Sequence, residues 1–337
     1  MSEIVIDAQN LVKWFPVARG FFTALFARRA LFVRAVDDVS FDVRKKEIFG
    51  LAGESGSGKT TTGRLLLRLT EPTSGKIWFK GIDTTNAPEG EMKKLRRRMQ
   101  IIFQDPYESL NPRMTILDIV AEPLRVLRVC NESEVEGRVT KTLEDVEMTP
   151  PEEFIHRYPH ELSGGQRQRV AVARAFIVGP EFVVADEPVS MLDVSIRAEI
   201  LNLMRSLVEK YDTSFLYITH DLALARHMCN RLAVMYLGKI AEKGVAEELV
   251  FKPLHPYTRA LISAVPVPDP TTKRSTVVIK GEIPSPINPP PGCRFHTRCP
   301  IAEDICKSKE PPLVDYGKDH SAACHLIESA AWKKFMA

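Results

Sequence analysis

The chain has 337 residues, 44% hydrophobic and 26% charged, which suffices for a large core plus a smaller unit and excludes a disordered chain. Its formal net charge of +3 is too small to argue for a nucleic-acid-binding protein. The start, MSEIVIDAQN, has no basic region leading into an apolar run, and no stretch reaches the roughly 18 uncharged apolar residues of a membrane span. GFFTALFARRALFV comes nearest and is interrupted by Arg28 and Arg29, so a cytosolic chain with reduced thiols is expected.

In chain order, EIFGLAG (Glu47–Gly53) is a short apolar run and predicts a strand buried on both faces. GESGSGKT, Gly53 to Thr60, follows it and fits G-x-x-x-x-G-K-[ST], with a helix predicted over Lys59–Leu69. Glycines open backbone angles closed to other residues, so successive N–H groups turn inward around a phosphate. The helix start adds its positive end. Gly53, Ser55, Gly56, Ser57, Gly58, Lys59, Thr60 and Thr61 are therefore the candidate ATP contacts. Lys59 is expected to reach the β- and γ-phosphates and the Thr60 hydroxyl to hold Mg²⁺.

The basic run KKLRRR, Lys93–Arg98, reads as a solvated face, and Met99–Gln104 as a second buried strand. Between Asp105 and about Glu161 the buried-strand pattern stops. TILDIVAEPLRVLR and SEVEGRVTKTLEDV carry helical periodicity, which predicts an all-helical subdomain inserted into an α/β core. LSGGQRQRV, Leu162–Val170, then sets two glycines after a serine at a helix start, a second anion-binding arrangement. One ATP has no use for two such sites on one chain, but a head-to-tail pair does. Ser163, Gly164 and Gly165 of one subunit, with Gln166 beside them, would clamp the γ-phosphate held by the loop of the other.

FVVADE, Phe182–Glu187, drives a strand into the core and sets Asp186 at its C-terminal end, where open α/β sheets bind ligands. Asp186 can organise Mg²⁺ through its water shell, and Glu187 can polarise an attacking water as general base. A helix over Ser195–Lys210, the strand SFLYIT (Ser214–Thr219) and a helix over Asp221–His227 continue the alternation, which implies a largely parallel sheet covered on both faces. After about Lys252 the proline-rich PLHPYTRALISAVPVPDP and GEIPSPINPPPG resist regular structure, and a separate C-terminal unit begins. It contains four of the six cysteines, Cys293, Cys299, Cys306 and Cys324. In a reducing compartment clustered thiols point to metal rather than to disulfides. Four thiolates suit Zn²⁺ or an iron–sulfur cluster, with His296 and His325 as substitute ligands.

The phosphate loop, LSGGQRQRV and VVADEP together resemble the ATP-binding subunits of ABC transporters over essentially the whole chain. The resemblance implies an α/β P-loop ABC ATPase core over residues 1–250, with the helical subdomain at about 105–161, and a small cysteine-containing extension over 251–337. It makes Gln104 the glutamine that touches Mg²⁺ or the water, and Asp193 the key member of the D-loop SMLDVS, where Met191 replaces the usual alanine. His220 in YITHD matches the switch histidine that contacts the γ-phosphate and orients Glu187. Phe15 in LVKWF matches the aromatic that stacks on adenine, with Trp14 and Phe32 nearby. With Glu187 and His220 present, hydrolysis rather than nucleotide sensing is implied.

FQDPYESLNPRMTI, HPYTRAL and GEIPSPINPPPGCRFHTRCP resemble the dipeptide and oligopeptide importers, and FPVARGFFTALFARRALFVRAVDDVSF resembles their F-type ATPase subunit. That resemblance implies an ATPase peripheral to the cytoplasmic face of the membrane, importing peptides; relatives serve nickel or oligosaccharides. Its implied partners are a second ABC ATPase subunit, two permeases and an extracytoplasmic solute-binding protein, with no nucleic acid. A soluble ABC ATPase of repair or translation is the competing class, and the chain has neither the coiled coils nor the second cassette of those proteins. The same resemblance points the four cysteines to [4Fe–4S], with Zn²⁺ the alternative, and the apolar residues around Leu110–Leu127 to permease docking.

Overall fold

The computed structural model describes residues 3–17, 31–264, 277, 279 and 281–336. Residues 18–30 of the insertion that resembles the F-type subunit lie outside them. The chain forms two compact units. One comprises Met1–Asp7, Asp42–Ile48 and Trp78–Ile218, the other Ala8–Phe41, Phe49–Ile77 and Thr219–Ala337.

In the first unit the strands Met99–Ile102, Phe182–Asp186 and Ser214–Thr219 run parallel, with Met99 opposite Phe182 and Phe182 opposite Ser214. Phe182–Asp186 is buried at every position, which is why its sequence is apolar without alternation. Between residues 105 and 161 the regular elements among the described residues are all helical: Pro106–Ser109, Ile116–Val126, Glu132–Asp145 and two short 3₁₀ turns. Ile116–Val126 buries Ile116, Ile119, Val120 and Leu124 on one face and packs against Glu132–Asp145 and the helix Gly164–Phe176. Leu110 is buried as well, so these apolar residues are core rather than docking surface. Tyr107, 63% exposed, and Val126, 58% exposed, remain as large apolar side chains on the surface of this stretch.

The basic run is only partly a solvated face. Lys93 and Lys94 are exposed. Arg98 instead grips Glu181 through both guanidinium branches and lies over the Phe79 ring, and this contact holds the Glu181 carboxyl down to about 2.

In the second unit, Ile48–Ala52 pairs parallel with Arg231–Tyr236, Phe49 opposite Arg231, and Arg231–Tyr236 pairs antiparallel with Lys239–Val245. The C-terminal segment adds to that edge: Ser321–Ala322 pairs with Lys239–Val245, and Val314–Asp315 pairs with Ser321–Ala322. Residues beyond 250 thus share one compact unit with the phosphate-loop strand. The prolines do not exclude a helix there, because Pro256 opens Pro256–Ala264 at the first turn, where its missing N–H has no partner to lose.

A buried polar network ties this region together. The Glu242 carboxylate, with no exposure, accepts from the backbone N–H of Leu254 at 2.6 Å and of His255 at 2.9 Å, and meets His320 Nε2 at 2.7 Å. His255 is buried, and its Nδ1 accepts from the Tyr257 N–H at 3.0 Å, an arrangement that needs an unprotonated nitrogen. Burial pushes the His255 ring from 6.5 down to about 4. Because the folded value lies below the unfolded one, this stability is fully present above pH 6.5 and is lost as pH falls from 6.5 toward 4. The loss should reach about 3 kcal/mol. Denaturant midpoints measured across that window should fall with acid in the wild type and fall less in His255→Asn.

Candidate nucleotide site

The phosphate loop leaves the strand Ile48–Ala52 and enters the helix Lys59–Leu66. Gly58, at the helix N-cap, has φ +107, and a Cβ built there would stand 2.1 Å from the Ala35 carbonyl oxygen. No side-chain hydrogen bond caps the helix, and its N-terminal end turns the positive pole of its dipole toward the loop, where an anion is favoured. Lys59 is buried, and its Nζ donates to the loop's own carbonyls, Gly53 at 2.7 Å and Glu54 at 3.0 Å. The Ser57 hydroxyl is buried with no hydrogen-bond partner among the described residues, which fits a polar ligand at this loop. Ser55 and Gly56 form the exposed tip; Thr60 and Thr61 are half-buried on the helix.

The aromatic residues near the N-terminus separate by what they touch. Trp14 Nε1 donates to Asp37 at 3.2 Å, the Arg34 guanidinium lies 4.6 Å from the Trp14 ring, and Phe32 stands 6.2 Å from it. Phe15 is 38% exposed, with Lys13 Nζ at 5.0 Å from its ring. His220, in the same unit, is exposed directly after the strand Ser214–Thr219. Asp221 accepts from the N–H groups of Ala223 and Leu224 and so caps the following helix, Leu222–Met228.

The first unit brings Gln104 and Glu187 together, Gln104 Nε2 donating to Glu187 Oε2 at 3.3 Å. Asp186 is buried at the end of its strand. Glu187 follows with φ +46, a left-handed conformation unusual for a side-chain-bearing residue, fixed by its N–H donating to the Ile218 carbonyl at 3.0 Å. Ser163 caps Gly164–Phe176: its Oγ accepts from the Gln166 N–H at 3.3 Å, and Gln166 Oε1 accepts from the Ser163 N–H at 2.9 Å. A Cβ on Gly165 would meet Ile196 Cγ2 at 2.8 Å, so glycine there sets how closely this helix passes Ile196. Asp193 is exposed at the start of Val194–Tyr211, flanked by Met191, 64% exposed, and Val194, 79% exposed.

None of the six cysteines is joined in a disulfide. Cys293 N–H donates to the Cys306 carbonyl at 2.9 Å. Burial pushes the Cys293 and Cys299 thiols up to about 12 and raises Cys324. Yet among the described residues no group of three or more His, Cys, Asp or Glu is arranged to hold a metal ion. The expected Zn²⁺ or [4Fe–4S] site is therefore not preformed. Burial favours neutral S–H groups, which have no charge to gather around a cation. His296 Nδ1 and His325 Nε2 each lie 2.8 Å from a backbone carbonyl oxygen, those of Cys293 and Lys309, and so are already engaged.

Sequence reasoning missed that the C-terminal region reaches the phosphate loop. HPYTRAL and CRFHTRC supplied resemblance but no role, although Tyr257 and Arg298 inside them both contact Glu54.

Residues 36–190 match the family model described as ABC transporter, and residues 241–306 match the one described as Oligopeptide/dipeptide transporter, C-terminal region. The chain is 47% identical over 328 residues to the Oligopeptide transport ATP-binding protein AppF of Bacillus subtilis (strain 168), covering 96% of this chain and 98% of that protein. It is 46% identical over 331 residues to the Probable peptide ABC transporter ATP-binding protein y4tS of Sinorhizobium fredii (strain NBRC 101917 / NGR234), covering 98% and 92%. Among solved structures, the dimeric post-hydrolysis state of the ATP-binding cassette MJ0796 bound to ADP and Pi superimposes with a TM-score of 0.62. Identity there is 27%, covering 72% of this chain and 98% of that chain. The chain thus belongs to the ABC transporter ATP-binding proteins, in the group that carries the oligopeptide/dipeptide C-terminal region.

Proposed function

We propose that this chain is the ATP-hydrolysing subunit of an importer of di- and oligopeptides. One observation carries the reading: a full set of cassette motifs and an oligopeptide/dipeptide transporter C-terminal region occur on one chain. Residues 1–250 form the nucleotide-binding domain, with its helical subdomain at about 105–161, and residues 251–337 form the extension.

In this reading the site residues take the following roles. Phe15, whose ring is more open than that of the engaged Trp14, stacks on adenine. The loop residues Gly53, Ser55, Gly56, Ser57, Gly58, Lys59, Thr60 and Thr61 bind the phosphates. Lys59 exchanges its two carbonyl partners for phosphate oxygens as ATP enters. Thr60, Gln104 and Asp186 hold Mg²⁺ directly or through water, and the ion supplies charge neutralisation for the phosphates. Glu187 takes the proton of the attacking water, with Gln104 orienting its carboxylate, and His220 contacts the γ-phosphate. The helix start at Ser163, Gly164, Gly165 and Gln166, with exposed Asp193 beside exposed Met191 and Val194, supports pairing with a second ATPase subunit whose site these residues complete.

The remaining partners are two permeases and an extracytoplasmic solute-binding protein, and the chain works at the cytoplasmic face of the cell membrane. Similarity to the peptide-transport ATP-binding proteins of Bacillus subtilis and Sinorhizobium fredii supports this placement. Among the described residues no helix is long and apolar enough to cross a membrane. Purification of the chain from its own cells is expected to bring down membrane-spanning subunits; recovery with nucleic acid and without such subunits counts against the importer reading.

As they stand, the four cysteine thiols do not form a ligand set. We propose that a [4Fe–4S] cluster is held by Cys293, Cys299, Cys306 and Cys324 as a structural staple, a reading supported by the resemblance of GEIPSPINPPPGCRFHTRCP to the peptide importers. Anaerobically purified protein is then expected to contain about four iron atoms and equal sulfide per chain and to show a visible charge-transfer band. Stoichiometric zinc without iron would assign the thiols to Zn²⁺ instead, and protein with neither would rule out both.

A further inference from the structure

Two arginines of the segment CRFHTRC reach out of the extension and grip the nucleotide-binding part of the same compact unit. We propose that Arg298, assisted by Tyr257, is a positioning residue for ATP binding: it fixes Glu54, the second residue of the phosphate loop, and neutralises its carboxylate. The inference rests on the reading that this loop binds ATP.

The contact is a two-pronged ion pair. Arg298 Nη1 donates to Glu54 Oε2 at 2.7 Å and Nη2 to Oε1 at 3.0 Å, with the Arg298 side chain 9% exposed and that of Glu54 25% exposed. Arg298 Nη1 also lies 3.4 Å from the Tyr236 hydroxyl. Tyr257, with no exposure, accepts the Glu54 backbone N–H on its hydroxyl at 3.0 Å. Its ring packs with those of Tyr236 and Phe295 at centroid separations of 4.8 and 5.2 Å, so the hydroxyl is held in place by a core cluster. Glu54 is therefore held at its carboxylate and its N–H by the extension, and at its carbonyl by Lys59. Four residues before Arg298, Arg294 binds the Asp37 carboxylate and the Leu237 carbonyl, and Asp37 also accepts from Trp14 Nε1. The segment is thus tied at two points and cannot drift as one arm.

The consequence for ATP is electrostatic. A carboxylate in the phosphate loop opposes a polyphosphate, and repulsion between like charges grows as water is excluded. Arg298 cancels that charge, while the Tyr257 contact fixes the backbone from which the rest of the loop turns. A purely structural arginine would lose stability on removal, and deleting the Glu54 charge would not restore nucleotide binding. A positioning and neutralising arginine gives the opposite pattern.

The test is equilibrium binding of Mg-ATP to the full chain in a Glu187→Gln background, with thermal unfolding measured alongside. Arg298→Ala is expected to weaken binding about tenfold, and adding Glu54→Gln should recover most of that loss. Tyr257→Phe should weaken binding about threefold. A folded Arg298→Ala chain that binds as tightly as its parent overturns the proposal, and so does a double variant with no recovery. If Arg298→Ala fails to fold, Arg298→Gln carries the same comparison with the same two readings. A parent that binds no Mg-ATP overturns this proposal together with the nucleotide reading, whereas a normal parent with indifferent variants overturns this proposal alone.

Discussion

Replacing Glu187 by Gln is expected to lower ATP turnover about a hundred- to ten-thousandfold while ATP still binds. The amide keeps the size of the carboxylate and retains an oxygen for Gln104 Nε2, which donates to it at 3.3 Å in the native chain. What it loses is the capacity to take a proton from water. The left-handed backbone at Glu187, φ +46, is set by its N–H bond to Ile218 rather than by the side chain, so the substitution leaves that geometry alone. Phosphate-release kinetics separate the outcomes. A fall in kcat with little change in KM marks a group acting in the chemical step. Unchanged kcat would remove Glu187 from the role of base.

Gly58→Ala is expected to abolish measurable ATP binding and to destabilise the chain by about 3 kcal/mol. The added Cβ would stand 2.1 Å from the Ala35 carbonyl oxygen, and neither backbone partner can yield as a flexible side chain would. The φ of +107 adds strain for any residue with a Cβ. Gly56→Ala is the matched control. Its φ is +76, but a Cβ there meets nothing within 4 Å, so about 1 kcal/mol of backbone cost is expected and ATP binding should persist. Denaturant unfolding with ATP titration checks the pair; equal effects at both positions would contradict the steric argument.

How legible the fold was depended on how each element is buried. Phe182–Asp186 and Ser214–Thr219 emerge at the bounds read from sequence, since every residue in both is buried and an unbroken apolar run is unambiguous. Ile4–Pro16 and Phe32–Arg44 escaped notice. Each mixes buried with exposed residues, and charges such as Asp37, Asp38 and Asp42 break the apolar signal of FVRAVDDVSFDVR. The helix Pro256–Ala264 escaped because its one proline, Pro256, sits at the first turn, where proline is tolerated, while the proline-rich stretch around it reads as irregular.

The motif residues stand out in sequence because phosphate chemistry constrains short contiguous stretches. That also explains what stayed hidden. Arg298 and Glu54 are 244 positions apart, and no local pattern announces a contact formed only when the extension folds onto the loop. The cysteines show the reverse case. Their clustering was legible, but the burial that raises the Cys293 and Cys299 thiols to about 12, and the arrangement that leaves no preformed ligand set among the described residues, belong to packing, which spacing does not encode.

The most direct measurement is uptake of a labelled peptide into vesicles carrying the chain with its co-purified membrane subunits, in the presence of a peptide-loaded binding protein. The central claim predicts accumulation that requires ATP and is lost when Glu187 is replaced by Gln. Accumulation that continues at the wild-type rate in the Glu187→Gln vesicles would contradict it.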